Sequence, residues 1–181
     1  MDTWQAIDTT RTIRSFADRS LDEAHLRRIL DAGRRAGSSK NLQRWDFIVC
    51  TDREHLRELA AVGDYAGHLA GAAAAVALVT PDPTDRTRVP LSVMFDLGRA
   101  AQNMTLAAWE LGVGSVPATV YDQALARRLL GYPEDRWCEY LLSFGYPADP
   151  TQVTRPNRPG GRRALADIVH RERWQGSTPA R

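Results

Sequence analysis

Leu26, Ile29, Leu30 and Ala36 recur at helical spacing behind Ser20 and Glu23, whose S-x-x-E arrangement lets two side chains satisfy each other's backbone N–H groups. The pattern predicts an amphipathic helix over 21–36, stopped by Gly37. Ahead of it, Trp4, Ala6 and Ile7 predict a short helix that Thr9 and Thr10 end, because β-branched hydroxyl residues favour caps and turns. WDFIVC (45–50) and AVALVT (75–80) are short apolar runs of strand length, with a helix predicted near 53–61 between them and Pro81 and Pro83 closing the second. VMFDLGRAAQNMTLAAWEL (93–111) is apolar around most of a helical circumference, with Asp96, Arg99, Asn103 and Glu110 on one narrow stripe. Then come SVPATV (115–120), a short helix LARRLLG (125–131) and the strand EYLLSF (139–144), closed by Gly145, Pro147 and Pro150.

Helix, helix, strand, helix, strand, long helix, strand, helix, strand is not a regular βαβ repeat, so the order predicts an α+β fold rather than a doubly wound sheet. A 19-residue helix enclosed nearly all round needs a sheet packed over it, a partner subunit, or both. Residues 1–150 read as one domain and 151–181 as its C-terminal extension. TRPNRPGGRR (154–163) is too rich in Pro and Gly for a helix, yet Leu165, Ile168, Val169 and Trp174 beyond it would be wasted in a free tail, so the extension is expected to dock on a second subunit.

Composition narrows the class. Apolar residues make up 43% and charged residues 25% of the 181-residue chain, the balance of an ordinary soluble protein. The first ten residues lack the basic start and apolar run of a signal peptide, so a cytoplasmic location without membrane residence is expected. A net charge of +2, with 24 cations scattered among 22 acids, gives no nucleic-acid footprint. Cys50 and Cys138 lie inside apolar runs and read as buried, reduced thiols.

Candidate chemistry centres on anions. Arg11 and Arg14 stand either side of Thr12 and Ile13 in RTIRSF, and Arg162 and Arg163 follow Gly160 and Gly161. Guanidinium forks match phosphate oxygens, and two such pairs suggest one phosphate; the early pair fits equally well as surface ion-pair partners of Asp8, Asp18 or Asp22. GSSKNLQRW (37–45) offers Ser38, Ser39, Asn41 and Gln43 on a tight loop, as a binding site or as plain turn chemistry. GVGSVP (112–117) follows a helix and lacks a third glycine, which excludes a Rossmann fingerprint. The four histidines show no metal-ligand spacing and read as surface or capping residues; no nucleophile signature is present.

Taken in order, R-T-I-R-S-F, G-S-S-K-N-L-Q-R-W-D-F-I-V, D-L-G-R-A-A-Q-N-M-T-L-A-A-W-E-L-G-V-G-S, L-L-G-Y-P-E, F-G-Y-P and G-R-R-A-L-A-D-I-V-H-R-E-R-W resemble the FMN-dependent nitroreductase family over nearly the whole chain. The resemblance implies a mixed, mostly antiparallel sheet flanked by helices, with the long helix at a homodimer interface. It assigns FMN phosphate and ribityl contacts to Arg11, Thr12 and Arg14, and a loop reaching the same flavin from the second subunit to Ser38, Ser39 and Asn41. It sets the backbone of Val116, Pro117, Ala118 and Thr119 against the isoalloxazine, and closes Arg162 and Arg163 on the phosphate. It further implies hydride transfer from NADH or NADPH through FMN to a nitroaromatic, quinone or related small acceptor. The alternatives keep the fold with dehalogenation, ring oxidation, flavin cleavage or non-catalytic flavin binding. Thr10, Gly37 and Arg44 depart from the family pattern, and the stretch between Thr80 and Val93 leaves little chain for lid helices; Arg44 either stays in solvent or reaches a nicotinamide cofactor's phosphate.

Overall fold

A computed structural model describes residues 1–155 and 160–174. Asp2 caps α1 (Thr3–Thr9) through a reciprocal bond with Gln5. The next helix, α2 (Glu23–Arg34), is capped by Asp22, whose carboxylate accepts from the Ala24 and His25 amides. Asp22 rather than Ser20 therefore starts α2, since a carboxylate next to the first turn meets the helix dipole as well as the orphan donors. The remaining elements are β1 (Asp46–Cys50), α3 (Arg53–Leu59), β2 (Ala74–Pro81), α4 (Ser92–Glu110), β3 (Gly114–Thr119), α5 (Gln123–Leu130) and β4 (Arg136–Gly145). Their order is the one that periodicity predicts.

The four strands form one sheet in the order β1-β2-β4-β3, and every neighbouring pair is antiparallel. β2 is buried from Ala74 to Thr80, which explains its unbroken apolar run: it packs on both faces. On one face Leu56, Leu59, Val62 and Leu69 join Ala126 and Leu130 of α5. On the other, Ile29 of α2 meets Leu97, Ala100, Met104 and Ala108 of α4. Cys50 and Cys138 are both buried and free.

Only one side of α4 is covered by the chain itself. Leu97, Ala100, Met104 and Ala108 are buried, while Phe95 is 70% exposed and Gly98, Arg99, Gln102 and Asn103 are open. The expected all-round burial is thus absent within one protomer. Asp96, placed by periodicity on a polar stripe, is buried because it accepts a bond from the Ser39 amide at 2.8 Å.

Residues 160–174 hold one short 3-10 turn, Leu165–Asp167, and leave Leu165 and Trp174 exposed. The stretch 156–159 of the Pro/Gly-rich segment, and 175–181, lie outside the described residues. No helix among the described residues is long and apolar enough to cross a membrane.

Candidate functional site

The segment RTIRSF is held against the open end of the sheet by its apolar residues. Ile13, 1% exposed, packs where a side chain on Gly114 would stand, with its Cβ 2.6 Å from the place a Cβ would take. Phe16 does the same at Gly145. Ile13 donates its amide to the Ser115 carbonyl (3.1 Å) and Ala17 donates to the Tyr146 carbonyl (2.8 Å), so the segment continues the sheet beyond β3. With Ile13 pointing inward, Thr12 and Arg11 are left facing a cleft.

That cleft is a cavity of about 850 Å3 between α1, α4 and β3. Its polar end holds Thr10, Arg11, Thr12, Gly160, Gly161 and Arg162, with Asp8 on its border. The Arg11 guanidinium donates to the Arg155 carbonyl and lies 5.8 Å from the centre of the Trp109 ring, which fixes its direction. Thr10 brings a buried hydroxyl oxygen that meets no hydrogen-bond partner. A buried hydroxyl left in that state costs free energy, and two guanidinium groups beside it favour an anion with several acceptor oxygens.

Across Gly98, Ala101, Pro117 and Leu142 the cleft runs into an apolar hollow of about 220 Å3, floored by Tyr140 and Leu78 and walled by Met94 and Leu97. A cationic end joined to an apolar end would suit a phosphorylated, ring-bearing cofactor such as FMN. No Cβ-sized obstacle lies within 4 Å at Gly98, so the passage between the two ends stays open.

The backbone of β3 adds a directional group. Val120 donates to Glu139 of β4 (2.9 Å), whereas the Ser115 carbonyl accepts from Ile13. Alternation along an antiparallel strand therefore turns the backbone groups of 115, 117 and 119 to the outer edge. Pro117 has no N–H, so Thr119 carries the outward amide of this stretch. Val116 and Ala118 are buried on the opposite face, which leaves them only main-chain atoms to offer, while Pro117 is exposed and Thr119 half-buried.

Not all the sequence-predicted residues gather here. Ser38, Ser39 and Asn41 belong to a loop on the other side of α4, and Ser39 and Arg44 border a separate hollow of about 110 Å3 beside Asp96. Lys40, Asn41 and Gln43 of this loop take left-handed backbone (φ 52°, 55° and 47°), a conformation that costs most non-glycine residues. The loop keeps that shape because Gln43 donates its amide to the Ser38 hydroxyl (2.9 Å) and its side-chain nitrogen to Asn41 Oδ1 (3.1 Å). Arg14 is exposed near His68, outside the set that lines the cleft. Arg163 donates to the Asp167 carbonyl, so the late pair is split, with Arg162 alone on the cleft. Of the acids expected near the early arginines, Asp18 pairs with Arg53 and Asp22 caps α2.

Several lining residues escape sequence reasoning. Trp4, Gly98, Tyr140 and Leu142 come together only through packing of α1 and α4 on the sheet. His68 is half-buried against Ser143 rather than at the surface, and no local signal marks it.

Fold and cleft together define an α+β protein built to hold a phosphorylated ring cofactor between a long helix and an edge strand. The chain belongs to the nitroreductase family, whose model matches residues 7–82 and 64–146. It is 35% identical over 173 residues, 93% of this chain and 96% of the other, to an Archaeoglobus fulgidus protein that carries the name NADH dehydrogenase/NAD(P)H nitroreductase. An NADPH-flavin oxidoreductase of Vibrio harveyi is 29% identical over 185 residues, 96% of this chain and 75% of the other. The solved NADPH:FMN oxidoreductase from Vibrio harveyi, complexed with NAD+, superposes with a TM-score of 0.82 at 26% identity, covering 97% of this chain and 79% of that one.

Proposed function

We propose that the chain is an FMN-dependent oxidoreductase that works as a homodimer, taking a hydride from NADH or NADPH and passing electrons to a nitroaromatic, quinone or related small acceptor. The observation that carries this reading is the continuous cleft in which Arg11, Arg162 and the unpartnered Thr10 hydroxyl stand at one end and the Pro117–Leu142–Tyr140 floor at the other. FMN, when bound, supplies the hydride and electron chemistry, which accords with the absence of a nucleophile or metal signature from the sequence.

The chain's own residues bind, orient and exclude water. Arg11, Thr12 and Arg162 hold the phosphate, with Arg14 and Arg163 as further positive charge nearby. Pro117 and Leu142 give the ring an apolar bed, and the outward Thr119 amide aims a donor along its edge; the main chain of Val116 and Ala118 keeps β3 in register with β4. Ser38, Ser39 and Asn41 reach the cleft from the partner subunit. Two observations support the dimer: the uncovered face of α4, with Phe95 at its centre, and the exposed Leu165 and Trp174 of the 151–181 extension, which docks on the partner. A cytoplasmic setting, where NAD(P)H is produced and thiols stay reduced, agrees with two free cysteines.

The test is spectroscopic. Purified protein is expected to be yellow or to turn yellow with added FMN, to bleach anaerobically with NADH or NADPH, and to regain colour when a quinone or nitroaromatic is added. Protein that stays colourless with FMN overturns the reading; protein that binds FMN and ignores both nicotinamide cofactors keeps the flavin and overturns the electron donor.

A further inference from the structure

A buried tryptophan near the end of α4 stands behind Arg11, which lines the cationic end of the cleft. Trp109 is 3% exposed, yet its indole carries one N–H that needs a partner inside the protein. It donates to the hydroxyl of Thr9 at 2.9 Å. Thr9 is the last residue of α1, and the same hydroxyl donates to the Gln5 carbonyl one turn back, at 2.6 Å. The hydroxyl thus gives its proton to α1 and a lone pair to Trp109, which ties the end of this short helix to α4.

Three groups then converge on Arg11. The Thr9 carbonyl, at the end of α1 where carbonyls lack an intrahelical donor, accepts from Arg11 Nε at 3.4 Å. The centre of the Trp109 ring lies 5.8 Å from the guanidinium carbon, inside the distance of about 6 Å over which an aromatic face attracts a cation. The Arg155 carbonyl accepts from a terminal guanidinium nitrogen. Trp109 therefore acts on Arg11 twice, directly through its ring and indirectly through the residue whose hydroxyl it holds.

We propose that Trp109 is a positioning residue that makes the cleft select phosphorylated over unphosphorylated flavin, by fixing the end of α1 and the Arg11 guanidinium before the ligand arrives. This rests on the flavin reading above. An arginine on a free stem is ordered only when phosphate binds, and ordering one such side chain weakens affinity about 2- to 10-fold. Held in advance by Trp109 and Thr9, Arg11 meets the phosphate without that loss. Because the effect travels through the guanidinium, it bears on the phosphate end alone and leaves the apolar end, floored by Leu142 and Tyr140, as it is.

Quenching of flavin fluorescence by the full chain, freed of any bound flavin, gives dissociation constants for FMN and for riboflavin, and their ratio isolates the phosphate. At about pH 8 the phosphate monoester is a dianion, so its own titration does not enter the comparison. Wild type is expected to prefer FMN. Trp109→Phe, which keeps a ring and loses the indole N–H, is expected to lower that preference about 2- to 10-fold while riboflavin binds as in wild type. Thr9→Val, which keeps the shape of Thr9 and loses the hydroxyl, is expected to match Trp109→Phe, whereas Thr9→Ser is expected to match wild type. In an Arg11→Ala background, Trp109→Phe is expected to change the ratio no further. Equal weakening of both flavins makes Trp109 plain packing and overturns the proposal, as does an unchanged ratio, a further fall in the Arg11→Ala background, or a wild type with no preference for FMN. The flavin reading survives each of these. Should Trp109→Phe not fold, the comparison of Thr9→Val with Thr9→Ser decides it. Wild type that binds neither flavin overturns both.

Discussion

Arg11 works through the groups that aim it: Thr9 and Trp109 on one side, the Arg155 carbonyl on the other, so its charge faces the cleft instead of solvent. A charge-assisted contact to phosphate contributes about 1.5–3 kcal/mol, so Arg11→Ala is expected to weaken FMN binding at least about tenfold in a fluorescence titration; unchanged affinity would remove Arg11 from the phosphate site. The two thiols behave in the opposite way, as inert core. Burial pushes Cys50 up to about 11 and Cys138 up to about 12, so both remain protonated at neutral pH. Native protein at about pH 8 is expected to leave a thiol reagent unreacted until denaturant is added. Because these affinities are raised above the unfolded value, their contribution to stability is fully present below that value and is lost as pH climbs through the folded ones. Denaturant midpoints are accordingly expected to fall above about pH 9 and to fall less in Cys138→Ala.

At the scale of elements, the site depends on one segment lying flat against the end of β3 and β4. A methyl group on Gly114 would collide with three atoms of Ile13, the nearest at 2.6 Å, and none of them is the loose end of a long side chain. Gly114→Ala is expected to cost about 1–3 kcal/mol of stability, read from the urea midpoint, and to weaken FMN binding because Arg11 and Thr12 shift with Ile13. Loss of stability with intact flavin affinity would show that the segment can move without disturbing the cleft. The helix α4 serves the site differently: Gly98 and Ala101 face the cleft, Asp96 holds the Ser39 loop, and Phe95 faces outward.

For the whole molecule, the proposed dimer is tested at that outward face. Phe95, 70% exposed with the Arg99 guanidinium 5.9 Å from its ring centre, is a large apolar group left uncovered. Sedimentation is expected to give twice the mass of one chain. If the proposed dimer forms across this face, Phe95→Glu would bury a charge there and is expected to shift the protein toward monomer and to weaken FMN binding in parallel, as the partner loop Ser38–Asn41 would leave the cleft. A wild-type protein that sediments as a single chain overturns this arrangement.

Element order and type were legible because periodicity is local: the short apolar runs, the continuous one of β2 and the 3.6-residue pattern of α2 follow from which side chains must leave water. Residue type and spacing marked the early arginines, the Ser38–Asn41 loop and Arg162 as candidates but left ion-pair and turn readings open, and the family resemblance supplied their expected roles. Tertiary structure alone decided that Arg11 faces the cleft and Arg14 does not, that Arg163 turns to the Asp167 carbonyl, and that Thr10 and Tyr140 line the cleft and its apolar hollow. The physical reason is that direction, burial and an unpartnered polar atom are properties of residues brought together from distant parts of the chain, and no window of sequence contains them.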